Sequence, residues 1–413
     1  MVDISGTTAY SKTTEHVPCS TRAKKACRIL AYTIIIAFAI TTLFSFVKLS
    51  DFFAKIRVSI PYPKIVAKSR LQERQKTTYS PAGVIPATSN KPKVILSWPP
   101  GPGWDFMHLR DCAKPVFKSI GCKVDNCIYT EKKSLADKSD AIVFIGRSLG
   151  SKPKKLPHQR WIWVTLESSC HTEAAETGGV WAGMFNWTIS FRRDSTFFLP
   201  YGHAKKRSTP LTKIFTKIAL KKTKKVAWMV SDCGTRGQRE RYVSELKKYI
   251  SVDVYGACGP FKCSKLDNEK CLDIISRDYK FYLSFENSIS TDYVTEKFWK
   301  MFDLDIVTVT RGPANYSRAG IKPEWHINTN DFKSPKDLAD YLKYLDRNVT
   351  AYVKYLEWKN QYVGLFPKAD VYCDLCAKLN DPSEPVTWYP PGQLAKWFID
   401  GHCIPPNDLN FNS

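Results

Sequence analysis

YKFYLSFENSISTDYVTEKFW, residues 279–299, is the stretch on which the reading of this chain turns. Lys280 to Phe285 is a short aromatic and aliphatic run, the composition of a buried strand. The polar residues after it read as a loop, and a helix is expected to open near Asp292, with Glu296 and Lys297 near its first turn. A loop leaving the carboxyl end of a strand is where an open α/β sheet holds its ligand.

Outward from this unit the same logic repeats. Val94–Trp98, Ala141–Ile145 and Trp161–Leu166 are continuous apolar runs, suited to strands of a parallel sheet covered on both faces. The basic stretch 217–225 separates this half from a second. There Val226–Val230, Val252–Tyr255 and Asp305–Val309 read as strands. Gln238 to Ile250 reads as a helix, with Tyr242, Val243, Leu246 and Tyr249 on one face. Ser334-Pro335-Lys336-Asp337 is a helix start, with Leu338, Leu342 and Leu345 as the buried stripe that follows. The glycine-containing loop Ser231–Gly237 feeds a helix N-terminus, whose free amides and dipole suit a diphosphate. Arg236, Arg239 and Arg241 supply cations there; the competing reading is a surface helix with solvated arginines. The fold class is α/β, with two Rossmann-like domains facing a cleft.

The chain has 413 residues and a net charge of +23. Its basic residues are scattered and no recognition-helix pattern accompanies them, so nucleic acid is not an expected partner. Thirteen cysteines and the sequons at Asn186, Asn315 and Asn348 point to an oxidising, secretory compartment. Ile29 to Val47 is uncharged and long enough to span a bilayer, with Arg22, Lys24, Lys25 and Arg28 on its cytosolic flank. The expected layout is a cytosolic tail 1–28, a signal-anchor 29–47, a stem 48–91, a first domain 92–220, a second domain 221–380 and a C-terminal extension 381–413.

Several long motifs give the chain a family resemblance. Phe285-Glu-Asn-Ser288 and Asp292-Tyr-Val-Thr-Glu-Lys297 resemble the signature of the α1,3-fucosyltransferases. So do Phe185–Ser195, Pro200-Tyr-Gly202 and Trp228–Tyr242. The resemblance covers roughly residues 91 to 380. It implies a GT-B architecture, a type II Golgi membrane location, and inverting transfer of fucose from GDP-fucose to a GlcNAc-containing glycan of a glycoprotein. By position, Arg239 and Lys297 match diphosphate contacts, and Tyr293 and Asn287 match donor-site residues around the nucleoside and ribose. Glu296 matches an acid near the ribose and the transferred sugar. Glu167 matches the general base, and Trp161, Trp163 and Trp181 are expected to give it an apolar setting. The family's Glu-Ser-Pro becomes Glu167-Ser-Ser169 here, and its Ser-Asn becomes Ser231-Asp232. The second change sets an acid near the expected diphosphate, to be offset by Arg236 or Arg239.

No cofactor is expected to be required, with stimulation by Mn²⁺ or Mg²⁺ left open, as is homo-oligomerisation. Asp303-Leu-Asp305 has the form of a metal-binding pair but is read as the end of a helix and the start of a strand. Cys258, Cys263 and Cys271 are read as disulfide partners before zinc ligands, and by resemblance Cys373-Asp-Leu-Cys376 is structural. An odd number of luminal cysteines leaves at least one free or paired between chains. The spacing around Cys258–Cys263 is closer to invertebrate members, several of which act on N-glycan cores. The alternative readings are a GT-B enzyme with another donor and an inactive glycan-binding relative.

Overall fold

The computed structural model describes residues 91–98, 116–263, 268–312, 314, 316–366 and 370–409. The expected signal-anchor and stem lie outside them, as does Asn315. Among the described residues no helix is long and apolar enough to cross a membrane.

Two separate parallel sheets organise the chain. The first contains β1 (Lys93–Trp98), β2 (Cys127–Thr130), β3 (Ala141–Ile145), β4 (Arg160–Thr165), β5 (Trp187–Ser190) and β6 (Phe197–Phe198). Their order is β2-β1-β3-β4-β5-β6, all parallel. A short antiparallel pair, β7 (His203–Lys206) with β13 (Tyr362–Leu365), follows it in space. The second sheet contains β8 (Lys224–Met229), β9 (Val252–Tyr255), β10 (Tyr279–Ser284), β11 (Val307–Thr310) and β12 (His326–Asn328), in the order β12-β11-β10-β8-β9. Its neighbours are parallel too.

Strand alternation divides each core in two. In the first sheet Ile95, Val143, Ile162 and Val164 face one side; Leu96, Phe144, Trp161 and Trp163 face the other. Both sides are dry because helices cover both, which is why these strands read as unbroken apolar runs. The cover comes from the far end of the chain. Val371 and Leu375 of the helix Asp370–Asn380 pack on one face, and Leu394 and Phe398 of the helix Gln393–Phe398 on the other. The first of these helices falls inside the range expected for the second domain, yet it clothes the first sheet. Cys373 and Cys376 staple it there, bonded to Cys122 and Cys127 rather than to each other. In the second sheet, Trp228, Phe281 and Val309 pack under the helices Arg239–Leu246 and Pro335–Arg347. The latter starts as expected: Ser334 Oγ accepts from the Asp337 amide at 3.2 Å, and Leu338, Leu342 and Leu345 are buried.

Each sheet reverses strand order once, between β1 and β3 and between β8 and β10. Crevices at such reversals, beyond the carboxyl ends, are the binding positions of open α/β sheets. In the second sheet the reversal is flanked by the loop 230–238 after β8 and the loop 285–295 after β10. In the first, Arg147 follows β3 and Glu167 follows β4.

Candidate functional site

The loops after β4 and β10 meet. Ser169 Oγ lies 2.6 Å from Ser290 Oγ, and Ser288 Oγ donates to Ser168 Oγ at 2.5 Å. The serine that replaces the family's proline at position 169 is thus a hydroxyl contact between the two sheets' loops. Cys170 continues the seam with a disulfide to Cys403.

On the β10 side, Lys297 sits in a cage of its own segment. The helix opens at Glu296 with Thr295 as N-cap, a turn later than expected near Asp292. Asp292 instead takes a left-handed backbone, φ 58°. The Lys297 ammonium lies 3.1 Å from Glu286 Oε2 and 3.0 Å from Glu296 Oε1, and donates to Thr295 Oγ1 at 3.0 Å. Glu286 is almost fully buried; its Oε1 accepts from the Thr295 amide and hydroxyl, both at 2.9 Å. Burial opposes the charge on Lys297, but Glu286 and Glu296 together raise its pKa above the ordinary lysine value. Burial raises the pKa of Glu286, with Lys297 opposing. For Glu296 burial acts the same way, yet the ammonium outweighs it and holds that carboxyl below its usual range. Glu286, which the motif reading quoted without giving it a role, is the buried half of the cage. An acid two residues past a fully buried strand is the signal that points to it, since a buried charge must be paired.

Arg239 is placed differently from a residue facing a ligand. Its side chain is 3 % exposed and spends both terminal nitrogens on main chain: Nη1 donates to Phe285 O and Nη2 to Asp232 O, each at 2.8 Å. It ties the two loops together from beneath. Its Nε is buried without a hydrogen-bond partner. Neither contact reaches the Asp232 carboxylate, which is exposed, as is Arg236. Asn287 takes part through its backbone, accepting from the Gly237 amide at 2.8 Å. A Cβ at Gly237 would stand 3.0 Å from that carbonyl oxygen, so any side chain there would push the two loops apart by a few tenths of an ångström. Tyr293 is buried, its ring packed on Phe191 at 5.0 Å between centroids.

On the β4 side, the Glu167 carboxylate is held loosely. Arg147 Nη1 is 3.4 Å from one oxygen and His171 Nδ1 is 3.9 Å from the other, and Oε2 is buried without a hydrogen-bond partner. The expected tryptophan setting is not what faces it: Trp161, Trp163 and Trp181 pack with Phe144 and Phe398 in the core, because β4 residues 161 and 163 point into the sheet face. Burial lowers the His171 pKa, with Glu167 and Asp232 opposing; Arg147 and Arg236 push it down further. His171 therefore lies within the electrostatic reach of both loops. Arg147 has a left-handed backbone, φ 64°, at the carboxyl end of β3, a conformation invisible to pattern reading.

Tyr201 joins the two sides. Its hydroxyl donates to Leu166 O, next to Glu167, and hydrogen-bonds with Tyr293. Burial and then the charges of Glu296, Glu286 and Glu167 push its pKa well up. One hydroxyl thus lies within range of all three acids.

The remaining expectations resolve locally. Asn186 is buried, its Oδ1 accepting from Lys155 Nζ at 2.8 Å and Trp161 N at 2.9 Å while Nδ2 donates to Thr387 O. It is a structural amide in the fold and a glycan has no room there. Asn348 is the N-cap of the helix Val349–Val353 and keeps partial exposure. Asp303 and Asp305 are engaged by Arg207 and Lys213. Among the described residues, no group of three or more His, Cys, Asp or Glu side chains is placed to hold a metal. Cys258 is bonded to Cys233, and Cys263 to Cys271, so the zinc reading of the trio does not stand. Cys112, the one cysteine after residue 100 outside these five disulfides, lies outside the described residues.

Two parallel sheets whose carboxyl-end loops meet beside an acid–lysine cage make this an α/β protein with a candidate site where those loops join. Residues 90–202 match the family model "Fucosyltransferase, N-terminal", and residues 219–397 match "Glycosyltransferase family 10 (fucosyltransferase) C-term". The chain belongs to glycosyltransferase family 10. It is 35% identical to Glycoprotein 3-alpha-L-fucosyltransferase A of Drosophila melanogaster over 79% of this chain and 64% of that protein. It is 33% identical to Alpha-(1,3)-fucosyltransferase fut-1 of Caenorhabditis elegans over 72% and 64%. A third relative, 4-galactosyl-N-acetylglucosaminide 3-alpha-L-fucosyltransferase of Homo sapiens, is 33% identical over 87% of this chain and 95% of its own length. The chain thus spans under two thirds of the length of the fly and worm relatives.

Proposed function

We propose that the chain is an inverting α1,3-fucosyltransferase of GT-B architecture, moving L-fucose from GDP-β-L-fucose to the 3-hydroxyl of a GlcNAc residue in a glycoprotein glycan. The observation that carries this is the Lys297 cage standing across a hydroxyl seam from Glu167. Glu167 accepts the proton of the acceptor hydroxyl as its oxygen bonds to C1 of fucose; the bond from C1 to the diphosphate breaks and GDP leaves with the electron pair. Lys297, Arg236 and the amides opening the helix Arg239–Leu246 stabilise the charge that develops on GDP. Arg239 acts from behind, holding the loops that present those groups. Glu296 supports positive charge on the sugar, a role consistent with its carboxyl being held below its usual range by Lys297. This chemistry needs no metal, and Mn²⁺ or Mg²⁺ acts only as a stimulant of turnover.

The invertebrate relatives and the disulfide-rich fold favour a luminal domain anchored in the Golgi membrane by residues 29–47. The test is release of GDP on mixing GDP-fucose with a panel of GlcNAc-terminated, LacNAc and N-glycan-core acceptors, followed by assignment of the new linkage by NMR. Acceptor-dependent GDP release with an α1,3 product supports the reading. Release with another nucleotide sugar alone points to a different donor, and no release with any pair leaves a glycan-binding relative.

A further inference from the structure

The family match ends at residue 397, but the chain does not leave the site there. Residues 402–409 run back along the loop after β10. The Thr291 amide donates to His402 O at 3.3 Å, and the Ile404 amide to Ile289 O at 2.9 Å. Cys403 is bonded to Cys170, three residues from Glu167. Leu409 is buried in the core of the second sheet.

Between those anchors Asp408 reaches a buried arginine. Arg311 follows β11, and its side chain is 2 % exposed. Asp408 takes it in a two-point fork: Nε to Oδ2 and Nη2 to Oδ1, each 2.7 Å. The third nitrogen, Nη1, donates to Gly237 O at 2.6 Å, and the guanidinium lies over the Tyr242 ring, 5.1 Å from its centroid. Gly237 is therefore held at both ends, its amide by Asn287 O and its carbonyl by Arg311. The next residue, Gln238, has φ 48°, one of three non-glycine residues with positive φ among the described residues. A left-handed non-glycine backbone persists where its surroundings over-determine it. Here it turns the loop after β8 into the helix Arg239–Leu246. Fixing the Gly237–Gln238 peptide plane fixes where the first amides of that helix point.

We infer that the C-terminal tail is a working part of the donor site: Asp408, acting through Arg311 and the Gly237 carbonyl, positions the diphosphate-binding turn. The fork explains why the arginine can be buried at all, since a guanidinium taken out of water needs its hydrogen bonds and its countercharge together. It explains why the donated bond is directed, because two-point pairing leaves Nη1 a single orientation. The inference rests on the reading of this turn as the GDP-fucose site.

The experiment separates positioning from stability. Asp408→Asn keeps the shape and one acceptor but loses the countercharge. The double variant Arg311→Met/Asp408→Leu fills the same volume without charge and loses the bond to Gly237 O. GDP affinity by calorimetry, donor KM, kcat at saturating donor and melting temperature are measured on the full chain. The expected result is a rise in GDP Kd and donor KM of about tenfold in both variants. The double variant keeps a melting temperature near wild type, and kcat at saturating donor changes less than KM. If either variant yields too little folded protein, Arg311→Lys, which retains the charge but not the fork, is expected to give the same rise in Kd. GDP affinity equal to wild type in the folded variants overturns the inference. A return of Kd to wild type in the double variant, with loss confined to Asp408→Asn, assigns the pair to stability alone and also overturns it. Wild-type protein that binds no GDP defeats the donor reading itself, a result distinct from both.

Discussion

The loop after β10 and the loop after β4 are built on opposite terms. On the β10 side each charge of the lysine cage is answered within about 3 Å: Lys297 by Glu286 and Glu296, and Glu286 by Thr295 as well. On the β4 side the Glu167 carboxylate has no ion pair shorter than the 3.4 Å to Arg147, and one of its oxygens is buried without a hydrogen-bond partner. A carboxylate oxygen buried without a partner is costly unless something arrives to use it. The contrast teaches that the β10 side is organised in advance, whereas the β4 side keeps an oxygen in reserve, and on the proposed mechanism the acceptor hydroxyl is what would use it.

The largest effect that tests this contrast is expected at Glu167. Glu167→Gln keeps shape but cannot take a proton, so kcat should fall roughly 10²–10⁴-fold, with GDP affinity and melting temperature near wild type. Turnover within a few-fold of wild type would break the comparison on this side, and Glu173 and Glu296 would be the next carboxylates to test.

Lys297→Ala probes the other side and should act on two observables together. Loss of a charged contact to the donor costs roughly 1.5–3 kcal/mol, about tenfold to a hundredfold in kcat/KM. The melting temperature should also fall, because Glu286 is left buried without its cation. Normal donor kinetics in folded protein would show that the cage is structural only.

Stability of the second sheet should carry its own pH signature. His326 bridges β11 and β12, its Nδ1 2.8 Å from Thr310 Oγ1, and burial lowers its pKa to about 4. The unfolded chain therefore binds a proton in a window, from about 6.5 down to about 4, where the native one does not. Stability present above that window is lost as pH falls through it, by about 2 kcal/mol between pH 8 and pH 5. Urea unfolding of His326→Phe should show a flatter dependence over that range; an unchanged slope would assign the acid sensitivity elsewhere.

The smallest expected effect sharpens the comparison at its hinge. Tyr201→Phe removes the hydroxyl that links Tyr293 to Leu166 O and should lower kcat about 3- to 10-fold, the worth of one neutral hydrogen bond. Donor KM should stay put, since the Lys297 cage is untouched. A rise in donor KM with kcat unchanged would place Tyr201 with the donor instead.

Much of this was legible in the chain. Ala141–Ile145 and Val252–Tyr255 were read to the residue, and the other long strands to within two, because strand burial writes apolar runs of definite length. The Ser334 cap was legible because capping is local, a side chain bonding an amide three residues on. The strands β2, β5, β6, β7, β12 and β13 are not legible as strands: each is only two to four residues long, and none stands out as an uninterrupted aliphatic run between turn signals.

By itself the sequence determined the α/β alternation, the two sheets, the family and the residue types at the site. These follow from periodicity and from motifs whose information is local. Tertiary structure alone decided that Arg239 lies beneath its loop, that Glu286 completes the lysine cage, and that Cys122 pairs with Cys373, Cys127 with Cys376 and Cys170 with Cys403, each across more than two hundred residues. It also decided that the tail returns to hold Gly237 through Arg311. The reason is physical: a buried charge or thiol is indifferent to sequence distance. Its partner is whichever group the packing of both sheets brings within about 3 Å, and no stretch of the chain encodes that meeting alone.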